Sequence, residues 1–189
     1  YNIQFKNFEM VRDMDGVYKV PAVATDLAKH QATLDFLFSV NRFGSTYVYA
    51  DEATESKVTR YYIKDTEEPL KILELSPVEL KTHTAELFKD HNRNMLAEDT
   101  QYTFNPAKGS TSVGTNGEGH RVYEYTIAPE VYEEEGVYDF ILSSTDAAGN
   151  ENSTTLFRDG SVKDGEIEQV RFPINFQVDK TVPVHRLTG

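Results

Sequence analysis

Apolar and polar positions alternate with a period of two along several stretches of the chain. Tyr138, Phe140 and Leu142 alternate with Val137, Asp139 and Ile141, and Ile174, Phe176 and Val178 alternate with Asn175, Gln177 and Asp179. Tyr18, Val20, Ala22 and Ala24 share one parity against Lys19. A period of two is the signature of strands with one buried face, and no 3.6-residue pattern spans these segments. The pattern predicts strands over residues 121–128, 137–145 and 172–179. Further strands are expected over 70–75 (bracketed by Pro69 and Pro77), 85–88 and 102–104. Residues 91–94 read as a turn, and the Gly- and Ser-rich residues 105–120 as a loop. Residues 44–49 extend the strand before them. Residues 51–62 form a short helix capped by Asp51, with Ala53, Val58 and Tyr61 inward. Short strands at this spacing, without helices between them, specify an antiparallel sandwich.

The chain also repeats itself. Gly16-Val17-Tyr18 returns as Gly136-Val137-Tyr138, and Thr25-Asp26 as Thr145-Asp146, both at an offset of 120. Asp13-Met14-Asp15 answers to Glu133-Glu134-Glu135, and Ile3 and Phe5 answer to Tyr123 and Tyr125. The stretch from Phe36 to Asn41 then matches Ile174 to Asp179 at an offset of 138, so the second copy carries 18 extra residues. They fall within 154–171, which holds Asp159-Gly160 and Asp164-Gly165 and reads as a surface loop or an extra hairpin. Gly136 closes an acidic corner before a strand that opens with Tyr138. Such a tyrosine either anchors the corner through its hydroxyl or is an ordinary core residue.

Composition narrows the function classes. In 189 residues, 19 Lys+Arg stand against 31 Asp+Glu, a net charge of −12. That surface repels phosphate backbones and anionic lipid, which argues against nucleic acid and membrane partners. No apolar run approaches the roughly 18 residues of a membrane span. There is no cysteine, which excludes disulfides, thiolate metal sites and cysteine nucleophiles. The chain opens at Tyr1 without a signal-like segment, so it is expected to be part of something longer.

The strand and turn ending Thr145-Asp146-Ala147-Ala148-Gly149-Asn150 resemble those of bacterial immunoglobulin-like repeat modules. The run from Phe176 to Pro183 is similar to their inter-module boundary, as is Phe38 to Ser45. Leu96 to Phe104 resembles an early strand. The resemblance implies an all-β, immunoglobulin-like antiparallel β-sandwich. Residues 1–43 would be the C-terminal strands of a first module and 44–68 a connector. Residues 69–182 would be a complete module, and 183–189 the start of a following one or a tail. The first copy departs from the pattern: it has Leu27-Ala28-Lys29-His30 in place of Ala147-Ala148-Gly149-Asn150, and Asn41 in place of Asp179. Three strands in 43 residues bury too little to stand alone. They are expected to pack on the second module or on another chain, or to be completed by strands supplied upstream.

The functional expectation is a non-catalytic spacer or adhesion module of a large Gram-positive surface protein, extracellular or secreted. Its partners would be neighbouring modules and a host or cell-surface protein or glycan. The alternatives are a carbohydrate-binding or other ligand-binding sandwich, in which tyrosines stand in for absent tryptophan, and an accessory domain of a secreted enzyme. Asp146 has buried parity at a strand end, so its carboxylate needs partners. It either accepts backbone N–H groups of its own turn or, with Asn150 and Asp179, ligates calcium at a module junction. Glu133-Glu134-Glu135 reads as a solvated corner rather than a catalytic pair. His30, His83, His91, His120 and His185 have no metal-binding spacing and read as surface residues; His83 and Glu86, three apart in a strand, face opposite ways. No nucleophile elbow, phosphate loop or dinucleotide fingerprint is present. A self-formed Lys–Asn isopeptide bond, known in some such surface modules, requires a buried Lys, Asn and acid together.

Overall fold

A computed structural model describes residues 15–42, 44–107, 119–155, 158–163, 166–170 and 172–182. The described chain is a mostly β sandwich, antiparallel except where Tyr62–Ile63 pairs with the last strand, with a long hairpin at one end. The hairpin comes first, as β1 (Gly16–Thr25) and β2 (Gln31–Val40). Then follow β3 (Thr46–Tyr49), α1 (Glu52–Arg60), β4 (Tyr62–Ile63), β5 (Leu70–Ser76), β6 (Leu80–Lys89), β7 (Asn92–Met95), β8 (Tyr102–Pro106) and β9 (Arg121–Ile127). A 3-10 turn at Pro129–Tyr132 leads into β10 (Gly136–Asp146), β11 (Glu151–Ser153), β12 (Arg158–Lys163), β13 (Glu166–Val170) and β14 (Asn175–Val178).

The two layers are a six-stranded sheet, ordered β4-β14-β10-β6-β7 with β11 also on β10, and a four-stranded sheet, ordered β3-β5-β9-β8. Inward residues alternate as their parity requires. Leu70 and Ile72 of β5 and Tyr125 and Ile127 of β9 meet Tyr138, Phe140 and Leu142 of β10 and Phe176 and Val178 of β14. All nine are at most 1% exposed, which marks them as the core that holds the layers together through apolar burial.

The two copies fold alike, pair by pair. Gly16, Val17 and Tyr18 face Val40, Ser39 and Phe38, while Gly136, Val137 and Tyr138 face Val178, Gln177 and Phe176. Tyr18 stacks on Phe38 at 5.4 Å between ring centroids, and Tyr138 on Phe176 at 5.8 Å. At the far end Thr25, Ala24 and Val23 face Gln31, Ala32 and Thr33, matching Thr145, Ser144 and Ser143 against Glu151, Asn152 and Ser153. In the first copy the returning strand is unbroken. In the second it stops at Ser153, makes the β12–β13 hairpin and resumes at Asn175. The extra residues are therefore a hairpin; the Asp164-Gly165 turn lies outside the described residues.

Several expectations are corrected. Residues 44–49 do not prolong β2: β3 crosses to the opposite layer and pairs with β5. The bend is made at Gly44, whose φ of +74° suits glycine, and a Cβ there would lie 2.0 Å from Asn152 Oδ1. α1 is capped as expected, Thr54 N–H donating to Asp51 Oδ1 at 2.8 Å. Its buried face is Thr54, Lys57 and Val58, whereas Ala53 is exposed and Tyr61 lies past the last turn. The sheet and Tyr132, placed by the tertiary fold, select that face. Of the segment read as a connector, β3 lies at one edge of the four-stranded sheet and β4 at one edge of the six-stranded sheet. Residues 92–95 form a strand, because the turn is completed by Asp90 and His91, both at positive φ (48° and 69°). Residues 96–101 make a turn rather than a strand, with Gln101 N–H donating to the Ala97 carbonyl at 2.9 Å. The described part of 105–120 includes Asn105 and Pro106 in β8; residues 108–118 lie outside the described residues.

Candidate functional site

A cluster of polar groups lies where the first hairpin meets the sandwich, at the end of β10. β10 carries its inward parity through to Asp146, which is 2% exposed. Asp146 Oδ1 accepts the backbone N–H groups of Ala148 and Asn150, both at 2.9 Å. Oδ2 accepts Asn150 Nδ2 at 3.0 Å and Asn41 Nδ2, from the first hairpin, at 2.8 Å. Asn150 Nδ2 also donates to the Asn41 carbonyl at 3.3 Å, and Ser39 Oγ to the Pro77 carbonyl at 3.2 Å. Burial pushes the Asp146 carboxyl up, but the donors of Asn41, Asn150 and Ala148 outweigh it and hold it below the usual aspartate value.

Four N–H donors occupy the oxygens of Asp146, so the carboxylate is a turn anchor and a junction acceptor. Asp179 does not join it. Asp179 follows β14 at the Gly136 end of β10, ten residues and roughly 30 Å from Asp146. There its Oδ1 accepts Thr181 N–H at 3.0 Å. The three residues expected to share calcium do not form one ligand set.

The first copy builds the same turn from different side chains. Asp26 Oδ1 accepts His30 N–H at 2.9 Å, and Oδ2 lies 2.9 Å from His30 Nδ1. Lys29 takes φ +74° where Gly149 has +86°. Each copy also has an acidic clamp at its base. Asp15 Oδ2 accepts Arg42 N–H at 2.5 Å, and Glu135 Oε1 accepts Lys180 N–H at 2.7 Å. Glu134 pairs with Lys89, and the Glu133 carbonyl accepts Lys180 Nζ at 2.5 Å. The acidic run thus fastens the chain where it leaves the sheet. Tyr138 fills both of its expected roles: it is 1% exposed, and its hydroxyl donates to the Glu134 carbonyl at 2.8 Å.

A second polar cluster was not foreseen. Glu74, fully buried between the layers, accepts hydroxyl hydrogens from Ser45, Ser144 (2.6 Å) and Tyr125 (2.9 Å). Burial, then the neighbouring carboxylate, pushes the Tyr125 phenol far up, so it stays protonated and donates. The signal was present in the sequence: Glu74 continues the inward parity of Leu70 and Ile72. Lys57 is the buried lysine among the described residues. Its Nζ donates to the Glu68 carbonyl at 2.6 Å, before the start of β5. Buried Asn152 holds Ser45 N–H at 3.1 Å, at the other end of β5. A Lys–Asn–acid trio is therefore not assembled there. His83 is not a surface residue: it stacks on Phe104 at 3.9 Å and faces Tyr102, while Glu86 pairs with Arg93.

No helix is long and apolar enough to cross a membrane, and no group of three or more His, Cys, Asp or Glu is placed to hold a metal among the described residues. In comparison with known proteins, the chain matches no family model and no curated sequence.

Proposed function

We propose that the chain is a non-catalytic, immunoglobulin-like structural or adhesion segment of a bacterial cell-surface repeat protein, acting as a spacer or interaction domain. The observation that carries this reading is the repetition of one hairpin in one register, with the first copy seated end-on against the second through Asn41, Asp146 and Asn150. Units in series that contact only their neighbours suit a mechanical role, because each junction fixes the angle to the next. Antibody raised against residues 44–182 is expected to label intact cells of the producing bacterium. Labelling that appears only after lysis would overturn the reading.

A second reading, a carbohydrate-binding accessory sandwich, draws on one feature. Tyr61 and Tyr62 pack edge to face at 5.0 Å, and Tyr62, 65% exposed, lines a groove of about 550 Å³ with Arg60, Lys64, Asp65 and Glu68. An exposed ring beside charged hydrogen-bonding groups is how proteins present platforms to sugars. Specific glycan-array binding that Tyr62→Ala abolishes would favour this reading over the first.

A further inference from the structure

The two hairpins differ in what covers them. On β10 and its partners, Phe140, Leu142, Ser144, Thr154 and Ile174 are all at most 5% exposed, beneath β5, β9 and β8. At the corresponding positions of the first hairpin stand Val20, Ala22, Ala24, Leu34 and Phe36. Paired across the strands as Val20 with Phe36 and Ala22 with Leu34, these side chains make one apolar face. Leu34 is 58% exposed and Phe36 49%. The hydrogen bonds from Ser39 and Asn41 to the sandwich lie at the hairpin's base, and along this face Ala24, Leu34 and Phe36 are exposed while Val20 and Ala22 are half-buried. Among the described strands β1 pairs only with β2, whereas β10 at the same edge pairs with β6 from Tyr138 to Asp146.

We infer that this face is the inner wall of another sandwich, whose covering sheet and a strand paired to β1 come from polypeptide N-terminal to residue 15. Chain order selects that source over a second copy of the chain. Every strand that covers β10 and β14 precedes them in sequence, and β9 is the last to do so. Ile3 and Phe5 stand 120 positions before Tyr123 and Tyr125 of β9, so the sequence just upstream of β1 already follows the same order. The covering layer is apolar toward the hairpin, with larger side chains over Val20 and Ala22, which replace Phe140 and Leu142, and smaller ones over Leu34 and Phe36, which replace Thr154 and Ile174. This inference rests on the two hairpins alone and holds whether the protein is a spacer or binds sugar.

Amide hydrogen exchange on two proteins tests it: the 189-residue chain, and the natural polypeptide extended upstream by a stretch the size of residues 44–135. In the extended protein the amides of residues 20, 22–25 and 32–36 are expected to gain at least about 100-fold protection, with the protein still monomeric. Phe36→Asp in the extended protein should abolish that gain while the amides of residues 138–142 stay protected. Unchanged exchange in the extended protein, protection that survives Phe36→Asp, or a natural polypeptide with no such upstream stretch would each overturn the inference. Protection of the 189-residue chain that rises with its concentration would overturn it too, by assigning the face to a second copy.

Discussion

Gly44 and Gly149 both have positive φ, but only Gly44 is also sterically committed. At Gly149 no atom lies within 4 Å of where a Cβ would stand, so Gly149→Ala meets only the left-handed penalty of about 1 kcal/mol. At Gly44 the added carbon would displace buried Asn152 and its bond to Ser45. Gly44→Ala is expected to cost about 3 kcal/mol, and urea denaturation of the two variants side by side measures the difference. Glu74 poses the opposite problem, a buried carboxyl group held by three hydroxyl donors. Glu74→Leu would leave the hydroxyls of Ser45, Ser144 and Tyr125 without their acceptor, at a cost of about 3 kcal/mol in the same assay. Parity marked Glu74 as inward, but its partners were not legible: Ser45, Tyr125 and Ser144 lie 29, 51 and 70 residues away and meet only once the layers close.

At the scale of elements, the turn after β10 is both a hairpin end and the receiving surface for β2. Asp146 has its carboxyl held below the usual value, so its contribution to the junction is complete above about pH 4, where an unfolded aspartate is ionised. The contribution is lost as pH falls through the depressed folded value. An NMR titration should show the Asn41 and Asn150 side-chain amides shifting together in that acidic window. Asn41→Ala removes one donor and should move the Asp146 midpoint upward; an unmoved midpoint would mean that the bond across the junction does not form in solution. The turn itself was readable from Thr145 to Asn150. That the first copy closes the same turn with Lys29 at positive φ was not, because the hairpin register sets that dihedral against the preference of lysine.

At the scale of the whole molecule, the buried core of the sandwich includes no described residue of the first hairpin, which joins the sandwich through hydrogen bonds at Ser39 and Asn41. Deleting residues 1–43 removes these three bonds and is expected to lower the unfolding free energy of the remaining chain by about 3 kcal/mol, near 1 kcal/mol for each net hydrogen bond. An unchanged unfolding free energy in chemical denaturation would show that the junction does not form in solution.

The linear sequence determined the strand class, the inward parity, the duplicated hairpin and the place of its insertion, because all of these rest on a two-residue period and on matches between segments. The tertiary structure alone decided which layer each strand joins. It sent β3 across to β5, turned α1 toward Tyr132, carried Asp179 to the pole opposite Asp146, and gathered hydroxyls around Glu74. Those outcomes depend on contacts between residues distant in the chain, and a local pattern of oily and polar positions carries no information about which distant segment will lie across from it.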